Sequence, residues 1–252
     1  MPAVSRSKTL TIIVPALNEE AKIADTVNAI LPLAKEHLDD FEVILVDDGS
    51  IDRTGPIMDQ LKTRDPRVAV IHHPDRRGLG VAFKEVLERA KFEFLVLIPG
   101  DDAYRHDGIE RMFRAVGAAD LAVCYRDNQS DRSLTRSIQS HSLRIFLNKV
   151  FGFGLFDYHG VIIYPVKWVR RISVDADGYG FQICALISLL QLGLTYVQVP
   201  VSLNAELKGS SRALRPRTYL ELGVTILSLL RRAPIRHIDP SQVPAQTGRG
   251  RR

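Results

Sequence analysis

Short apolar runs alternate with longer amphipathic stretches through the first half of the chain. The runs are rich in β-branched residues and end at proline, glycine or aspartate, which is typical of buried strands. This pattern predicts strands at 10–14, 42–46, 67–71, 94–98 and 121–125. The stretches between them predict helices at 18–36, 54–63, 78–90 and 109–116. Asn18 is the expected N-cap of the first helix, with Glu19 and Glu20 in its first turn.

The alternation of strand and helix predicts an α/β fold, in which helices cover both faces of a mainly parallel sheet. Ligands of such sheets bind beyond the carboxyl ends of the strands. Acidic residues follow three of the predicted strands, at 18–20, 47–48 and 101–102. Carboxylates gathered at one edge repel one another unless a cation or a ligand rich in hydrogen-bond donors binds them. These clusters therefore predict a binding site for such a cation or ligand. Each aspartate pair could instead serve only as a cap.

Two of these features suggest particular ligands. Asp101 and Asp102 are adjacent carboxylates, which suits Mg2+ or Mn2+ because these hard cations prefer oxygen ligands. The turn at 76–80, Arg-Arg-Gly-Leu-Gly, offers backbone N–H groups and two guanidinium groups to an anion. The chain has neither a Walker-type nor a full dinucleotide-binding glycine pattern, which argues against ATPase and dehydrogenase chemistry.

Four motifs in consistent order resemble family-2 glycosyltransferases, and within them the dolichol-phosphate-mannose-synthase-like branch. The motifs are Val14-Pro-Ala-Leu-Asn-Glu-Glu20, Val46-Asp-Asp-Gly-Ser50, Arg77-Gly-Leu-Gly80 and the strand that ends at Asp101-Asp102. The resemblance covers residues 9–212. It implies a GT-A fold, which is a Rossmann-like α/β fold of nucleotide-diphospho-sugar transferases, together with a nucleotide-diphospho-sugar donor and a Mg2+ or Mn2+ cofactor.

The resemblance also implies roles for single residues. It assigns these positions to the nucleotide-sugar: Pro15, Ala16, Asn18, Glu20, Asp47, Asp48, Arg77, Gly78, Lys208 and Arg212. Asp101 and Asp102 fall at the metal-binding motif, and with Asp157 they are the candidate catalytic residues. Pro99 stands where the family's Asp-x-Asp motif has its first acid, and Gln182 where relatives often carry one. The departure at Pro99 leaves metal dependence open.

The nature of the acceptor follows from the need for a base. A hydroxyl acceptor needs a general base, whereas a phosphate acceptor is already ionised and needs cations to hold it. Many relatives carry the base in a late Glu-Asp motif, which is absent between Asp157 and Leu207, although Asp157 or Asp102 could act instead. Arg126, Arg132 and Arg136 are the candidates for an acceptor phosphate. The predicted acceptor is therefore a polyprenyl phosphate, and the family's usual outcome is inversion at the anomeric carbon.

Charge and apolar pattern bear on the surroundings of the protein. The net charge is +5, and residues 208–252 carry ten Lys and Arg against two acids. Such a basic segment favours lipid headgroups as a partner, or is a solvated tail. Apolar residues at 143, 146, 147 and 150 recur at helical spacing, so this helix either packs on the sheet or lies on a membrane. No stretch reaches the ~20 apolar residues that span a bilayer.

We therefore expect a cytoplasmic protein, with peripheral contact at the inner face of the cell membrane left open. Cys124 and Cys184 lie in apolar runs and predict buried free thiols. The expected organisation is an N-terminal tail at 1–8, a catalytic domain at 9–212, an amphipathic helical segment at 213–234 and a basic disordered tail at 235–252. No nucleic-acid partner is expected, and a homo-oligomer is left open.

Three functions stay open on the sequence. The first is a membrane-associated transferase that makes a polyprenyl-phosphate sugar. The second is a soluble transferase of the same fold with a hydroxyl acceptor. The third is a non-catalytic nucleotide-sugar-binding protein, which the residues Pro99 and Gln182 motivate.

Overall fold

The computed structural model describes residues 7–127, 134–172 and 180–204, with side chains of the helix that starts at Leu134 described from Ser140 onward. The predicted site residues Arg132, Lys208 and Arg212 lie outside this part of the chain, as does the side chain of Arg136. The predicted helical segment at 213–234 and the basic tail at 235–252 also lie outside it.

Strands and helices alternate along the described residues. The strands are β1 (Thr9–Ala16), β2 (Asp40–Asp47), β3 (Val68–His72), β4 (Phe94–Leu97), β5 (Leu121–Arg126), β6 (Ile162–Pro165) and β7 (Tyr196–Val201). The helices are α1 (Ile23–His37), α2 (Thr54–Arg64), α3 (Leu79–Arg89), α4 (His106–Arg114), α5 (Leu134–Phe151), α6 (Val166–Val169) and α7 (Gly180–Gln191).

The described strands form one mixed sheet in the order β3-β2-β1-β4-β6-β5-β7. Neighbours are parallel except at β6, which pairs antiparallel with both β4 and β5. The mainly parallel sheet predicted from the sequence is therefore confirmed. The strand that follows the candidate residue Asp157 along the chain, β6, is thus the one that runs against its neighbours.

Two apolar clusters lie on the two faces of this sheet. Successive side chains of a strand point to opposite faces, and in β1 this sends Ile12 and Ile13 to different clusters. The Ile12 cluster contains residues of α1, α2 and α4, and the Ile13 cluster contains residues of α3, α5 and α7. Both faces are thus covered by helices, as the sequence predicts.

The first helix begins later than predicted. α1 starts at Ile23, and Asn18 lies in a loop with a backbone φ of 58°, in the left-handed region that asparagine tolerates. The carbonyl of Glu19 accepts hydrogen bonds from the N–H groups of Lys22 and Ile23, at 3.0 and 2.9 Å. Asn18 is therefore not a helix cap, because its side chain is used by the neighbouring loop described below.

Helix α5 packs on the sheet through part of its surface. Leu147 is fully buried and Leu143 packs against the same cluster. Ile145 and Phe146 are 51% and 48% exposed. Packing on the sheet is thus observed for one side of the helix, and membrane contact of the other side stays a prediction.

Two further expectations concern the interior and the membrane. Cys124 and Cys184 are buried and free, as predicted, and burial raises the pKa of the Cys124 thiol. Among the helices that the structure describes, none combines the length and the apolar character that a bilayer crossing requires.

Gly160 lets the segment before β6 lie directly against β5. A Cβ atom at this position would overlap the carbonyl oxygen of Cys124, and the N–H of Cys124 donates to the carbonyl of Val161 at 2.8 Å. Because the obstructing atom is backbone, it cannot move without disturbing the strand pairing. Gly160 therefore fixes the position of Asp157 relative to the end of β5.

We predict that Gly160→Ala lowers the free energy of unfolding by roughly 1–3 kcal/mol or more, as overpacking does elsewhere. Gly154→Ala is the matched control, since a Cβ atom there would have no neighbour within 4 Å among the described residues and the φ of Gly154 is not positive. Urea unfolding of both variants measures the difference. Equal stability of the two variants would contradict the close approach.

Candidate active site

The three acidic clusters predicted from the sequence lie side by side. Strands β2, β1 and β4 are neighbours in the sheet, so the loops that follow them meet at one edge. The N–H of Asp48 donates to the carbonyl of Ala16 at 2.9 Å, and the N–H of Gly100 to the carbonyl of Pro15 at 3.0 Å. The end of β1 is thus bonded to both flanking loops, which confirms the predicted convergence.

Gly100 allows this approach on the β4 side. A Cβ atom there would lie 2.9 Å from Cδ1 of Ile23 and 3.1 Å from the Cβ of Ala16. These contacts are closer than carbon atoms normally tolerate. A glycine between Pro99 and Asp101 therefore brings the acidic turn against the end of β1.

The side chains of Asn18 and Glu20 bind the loop after β2. Oδ1 of Asn18 accepts from the N–H of Ile51 at 2.9 Å, and Oε2 of Glu20 accepts from the N–H of Arg53 at 3.0 Å. The N–H of Asn18 donates in return to Oγ of Ser50 at 3.0 Å. Both predicted residues therefore shape the loop pair, and their contact with a nucleoside stays a prediction.

Asp47 and Asp48 are buried, and neither caps a helix, since α2 begins only at Thr54. Oδ1 of Asp47 accepts from the N–H of Ser50 at 2.9 Å, and its Oδ2 lies 3.2 Å from Nδ1 of His72. A buried carboxylate is stable only where donors replace the lost water. Asp47 obtains these donors from its own turn and from β3.

Asp48 obtains its donors from the turn that precedes α3. The N–H of Arg77 donates to its Oδ1 at 2.8 Å, and the N–H of Gly78 to its Oδ2 at 2.9 Å. These are the amides that the sequence analysis offered to an external anion, and that expectation is wrong because the buried carboxylate binds them first. The guanidinium groups of Arg76 and Arg77 remain able to face a ligand, since both residues are exposed and the Arg77 side chain is 54% exposed.

Two adjacent histidines, which the sequence analysis missed, complete this arrangement. Nε2 of His72 lies 3.1 Å from Oδ1 of Asp59, and Nε2 of His73 lies 3.0 Å from Oε2 of Glu85. Burial lowers the pKa of His72, but its hydrogen bonds to Asp59 and Asp47 outweigh burial and leave the pKa above its ordinary value. The available signal was their place at the end of a predicted strand, on the same edge as the acids.

Asp101 is the centre of a group of carboxylates. Burial raises its pKa, bonds from backbone amides oppose this, and the charge of Asp102 adds to the increase. The pKa of Glu19 is also raised, by burial first and then by the charges of Asp101 and Asp52. Glu19 belongs to the acidic cluster predicted at 18–20 and is a further candidate beside Glu20, to which alone of the two the resemblance gave a role. Mutual repulsion here favours a bound cation.

Asp102 has a strained backbone that its neighbours hold in place. Its φ is 53°, and its N–H donates to Oγ1 of Thr26 at 2.9 Å. Its carbonyl accepts from Nδ2 of Asn204 at 2.7 Å. Helix α4 begins only at His106, so neither Asp101 nor Asp102 serves as a helix cap. Backbone strain of this kind is typical of functional sites.

Three predicted residues from different parts of the chain act electrostatically on Tyr104. Burial raises the pKa of the Tyr104 hydroxyl, electrostatic interactions with Cys124, Asp101 and Asp157 raise it further, and Arg126 lowers it. The candidate metal ligand Asp101, the candidate base Asp157 and the candidate acceptor cation Arg126 thus belong to one neighbourhood. Oδ1 of Asp157 also accepts from the N–H of His159 at 3.0 Å, which orients the carboxylate.

The donor set at the acidic turn fits a hard divalent cation. Within residues 7–127, 134–172 and 180–204, no three His, Cys, Asp or Glu side chains are grouped as a complete metal site. Mg2+ is commonly held by one or two carboxylates, with water and substrate phosphates completing its shell. Asp101 and Asp102, with Glu19 close by, meet that smaller requirement.

A separate cavity of about 620 Å³ adjoins the acidic turn from the side of α1 and α4. Its walls are formed by Asp25, Asn28, Ala29, Asp102, Tyr104, Arg105, His106, Asp107 and Asn204. Among the described residues predicted for the site, Asp102 alone lines it. The residues predicted to bind the nucleotide-sugar donor lie instead at the carboxyl ends of β1 and β2 and before the first residue of α3.

Comparison with known sequences identifies a family. Residues 11–177 match the family model described as glycosyl transferase family 2. The undecaprenyl-phosphate mannosyltransferase of Micrococcus luteus is 29% identical over 217 residues, which cover 81% of this chain and 87% of that protein. The polyprenol monophosphomannose synthase of Mycolicibacterium smegmatis is 28% identical over 225 residues, covering 84% and 83%.

Comparison with solved structures concerns the fold. The glucosyl-3-phosphoglycerate synthase of Mycobacterium tuberculosis, in complex with Mg2+ and UDP, superimposes with a TM-score of 0.64 and 22% identity. The match covers 87% of this chain and 78% of that chain. A complex of the same enzyme with Mn2+, UDP-glucose and phosphoglyceric acid gives a TM-score of 0.65. The GT-A fold predicted from the sequence is confirmed.

We predict that His72 stabilises the protein in a pH-dependent manner. Because its folded-state pKa is raised, its contribution is complete below the ordinary histidine pKa of about 6.5 and is lost as the pH rises through the raised value. The melting temperature of His72→Gln should therefore fall below wild type by more at pH 6 than at pH 9. A deficit that is the same at both pH values would contradict this, and the exposed His106→Gln is the control.

Proposed function

Since the chain belongs to glycosyl transferase family 2 and is a glycosyltransferase, we propose that it transfers a hexose from a nucleoside-diphospho-sugar to a polyprenyl phosphate. The observation that carries the proposal is that the acidic turn and the end of β5 meet at the end of β7, where Tyr104 pairs with Leu203 and Arg126 pairs with Val201. It puts a carboxylate suited to a donor-bound cation within electrostatic range of a cation suited to an acceptor phosphate. The two relatives named above, both of which use a polyprenyl-type acceptor by name, support it.

In the proposal, the donor nucleoside lies on the loops after β1 and β2. Pro15 and Ala16 form the floor between those loops, and Asn18 and Glu20 hold the loops together. Asp47 and Asp48 are buried and act by fixing the loop after β2 and the turn before α3 through hydrogen bonds. The exposed Arg77 guanidinium, together with Lys208 and Arg212, supplies positive charge for the diphosphate.

The acidic turn serves the leaving group. A bound Mg2+ or Mn2+ would neutralise charge that develops on the nucleoside diphosphate as the sugar leaves. Asp101 and Asp102 would provide the carboxylate oxygens for that ion, and the bonds to Thr26 and from Asn204 keep the Asp102 backbone in place. Departure of the nucleoside diphosphate then accompanies attack from the opposite side, which inverts the anomeric carbon.

The acceptor end needs cations and no base. An oxygen of the ionised acceptor phosphate forms the new bond to the anomeric carbon as the bond to the donor diphosphate breaks. Arg126, with Arg132 and Arg136 as further candidates, balances the acceptor charge on approach. The products are a polyprenyl-phospho-sugar and a nucleoside diphosphate, with no proton to remove.

A hydroxyl acceptor is the second candidate, and the position of Asp157 favours it. This carboxylate belongs to the same neighbourhood as Arg126 and could take the proton of an attacking hydroxyl. The two candidates differ in their dependence on Asp157. Transfer to a phosphate should survive Asp157→Asn, and transfer to a hydroxyl should not.

A lipid acceptor also requires access to a membrane. Ile145 and Phe146 form an exposed apolar pair on α5, with Lys149 exposed on the same helix. We propose that this side of α5 meets the cytoplasmic face of the membrane. Co-sedimentation with anionic lipid vesicles, compared for wild type and for the double variant Ile145→Ser, Phe146→Ser, measures the contact.

We predict that Asp101→Asn lowers kcat/KM at least about 100-fold in the presence of Mg2+ or Mn2+, as loss of a group that stabilises transition-state charge does elsewhere. The assay measures transfer from UDP- and GDP-sugars to a short-chain polyprenyl phosphate. Glu88→Gln, an exposed carboxylate on α3 away from the site, is the control. Unchanged turnover of Asp101→Asn would remove its metal role, and inactive wild type would favour the non-catalytic alternative.

We predict that Arg126→Ala raises KM for polyprenyl phosphate about tenfold or more while the Kd of the donor changes little, because the lost charge serves only the acceptor. Arg114→Ala, an exposed arginine on α4 paired with Glu110, is the control. Steady-state kinetics with the acceptor varied, beside calorimetry with the donor, separates the two constants. An equal loss of donor affinity would place Arg126 at the donor instead.

A further inference from the structure

His73 lies at the end of β3 with its ring enclosed between two carboxylates. Its side chain is 3% exposed. Nδ1 lies 3.1 Å from Oδ1 of Asp48, and Nε2 lies 3.0 Å from Oε2 of Glu85. The first carboxylate directly follows β2 and the second belongs to α3, so the ring joins two elements that flank the proposed donor site.

The same Asp48 carboxylate determines the path of the turn before α3. Besides His73, it accepts the N–H of Arg77 at 2.8 Å and the N–H of Gly78 at 2.9 Å. Gly78 has a φ of 93°, which only glycine adopts readily, and directly precedes the first residue of α3. The position of Asp48 therefore fixes where the Arg77 side chain leaves the backbone.

The two carboxylates that flank the ring differ in their other partners. Glu85 has other partners, Arg89 at 2.8 Å and Arg77 at 4.0 Å. The Asp48 carboxylate, within the part of the chain that the structure describes, is bonded only by the turn amides and His73.

We propose that His73 is a positioning residue of the donor site: by its contact with Asp48 it holds the Arg77–Gly78 turn in the shape that binds the donor diphosphate. The inference rests on the proposed function, because it takes that turn as part of the donor site. Its consequence is that donor affinity depends on a hydrogen-bond donor that faces Asp48 from position 73.

Two substitutions divide the roles of the two ring nitrogens. The amide nitrogen of Asn occupies about the place of Nδ1, so His73→Asn keeps a donor toward Asp48. The amide nitrogen of Gln reaches about as far as Nε2, so His73→Gln keeps the contact with Glu85 and loses the one with Asp48. The pair therefore shows whether the bond to Asp48 carries the effect.

The probes are UDP-glucose and GDP-mannose with Mg2+, titrated calorimetrically at a single pH. We expect wild type to bind one of them, and His73→Asn to bind it within about threefold of wild type. His73→Gln should bind it about tenfold more weakly, the size expected when a buried carboxylate loses a donor.

Glu85→Gln is the second test, and it leaves His73 and Asp48 in place. Because the contact with Asp48 is kept, this variant should bind the donor within about threefold of wild type. If thermal unfolding shows that His73→Gln does not fold, His73→Asn and Glu85→Gln carry the test. The exposed His106→Gln should bind the donor as wild type does.

The outcomes distinguish this inference from the proposed function. Failure of wild type to bind either nucleotide sugar overturns the proposed function and the inference with it. Binding by wild type, with a tenfold loss of affinity in His73→Asn or in Glu85→Gln, overturns the inference alone. Equal donor affinity of His73→Asn and His73→Gln would also overturn it, since the bond to Asp48 would then be without effect.

Discussion

The buried carboxylate of Asp48 determines how three parts of this protein meet. A carboxylate without water must be surrounded by donors, or it becomes protonated or unfolds its surroundings. The chain supplies two backbone amides from the turn before α3 and one ring nitrogen from the end of β3. Because those donors lie on separate elements, satisfying one charge fixes the relative positions of β2, β3 and α3, and with them one wall of the site.

In the acidic turn after β4, by contrast, carboxylates lie close to other carboxylates. Burial raises the pKa values of Asp101 and Glu19, and the charges of neighbouring acids raise them further. The backbone of the turn is nevertheless held firmly, by the close approach of Gly100 to β1 and by the bonds of Thr26 and Asn204 to Asp102. A rigid backbone that carries like charges is what a site shaped for an external cation requires.

The sequence predicted the parts of this arrangement that local patterns encode. The strands before Asp47 and Asp101 were recognisable as apolar runs, and parallel packing then brought their ends together. Pairing between distant segments was not encoded locally, so the antiparallel insertion of β6 between β4 and β5 was not predicted. The N-cap assigned to Asn18 was wrong for the same reason, since its side chain binds Ile51 across the loops. Tertiary partners override local preference in such places.

The residues that sequence reasoning missed share one property: their importance comes from neighbours distant in the chain. Nothing near His73 in sequence shows that its ring lies between Asp48 and Glu85. Tyr104 follows the acidic turn closely, yet the charges that act on it include Asp157 and Arg126 from later in the chain.

In the proposed function, the positive charge of Arg126 and the negative charges of Asp101 and Asp157 act where donor and acceptor would be joined. A phosphate entering there would be attracted by Arg126 and repelled by Asp101 and Asp157, so cation binding at Asp101 would also ease the approach of the acceptor. On this view the metal serves both substrates, and donor binding should precede acceptor binding.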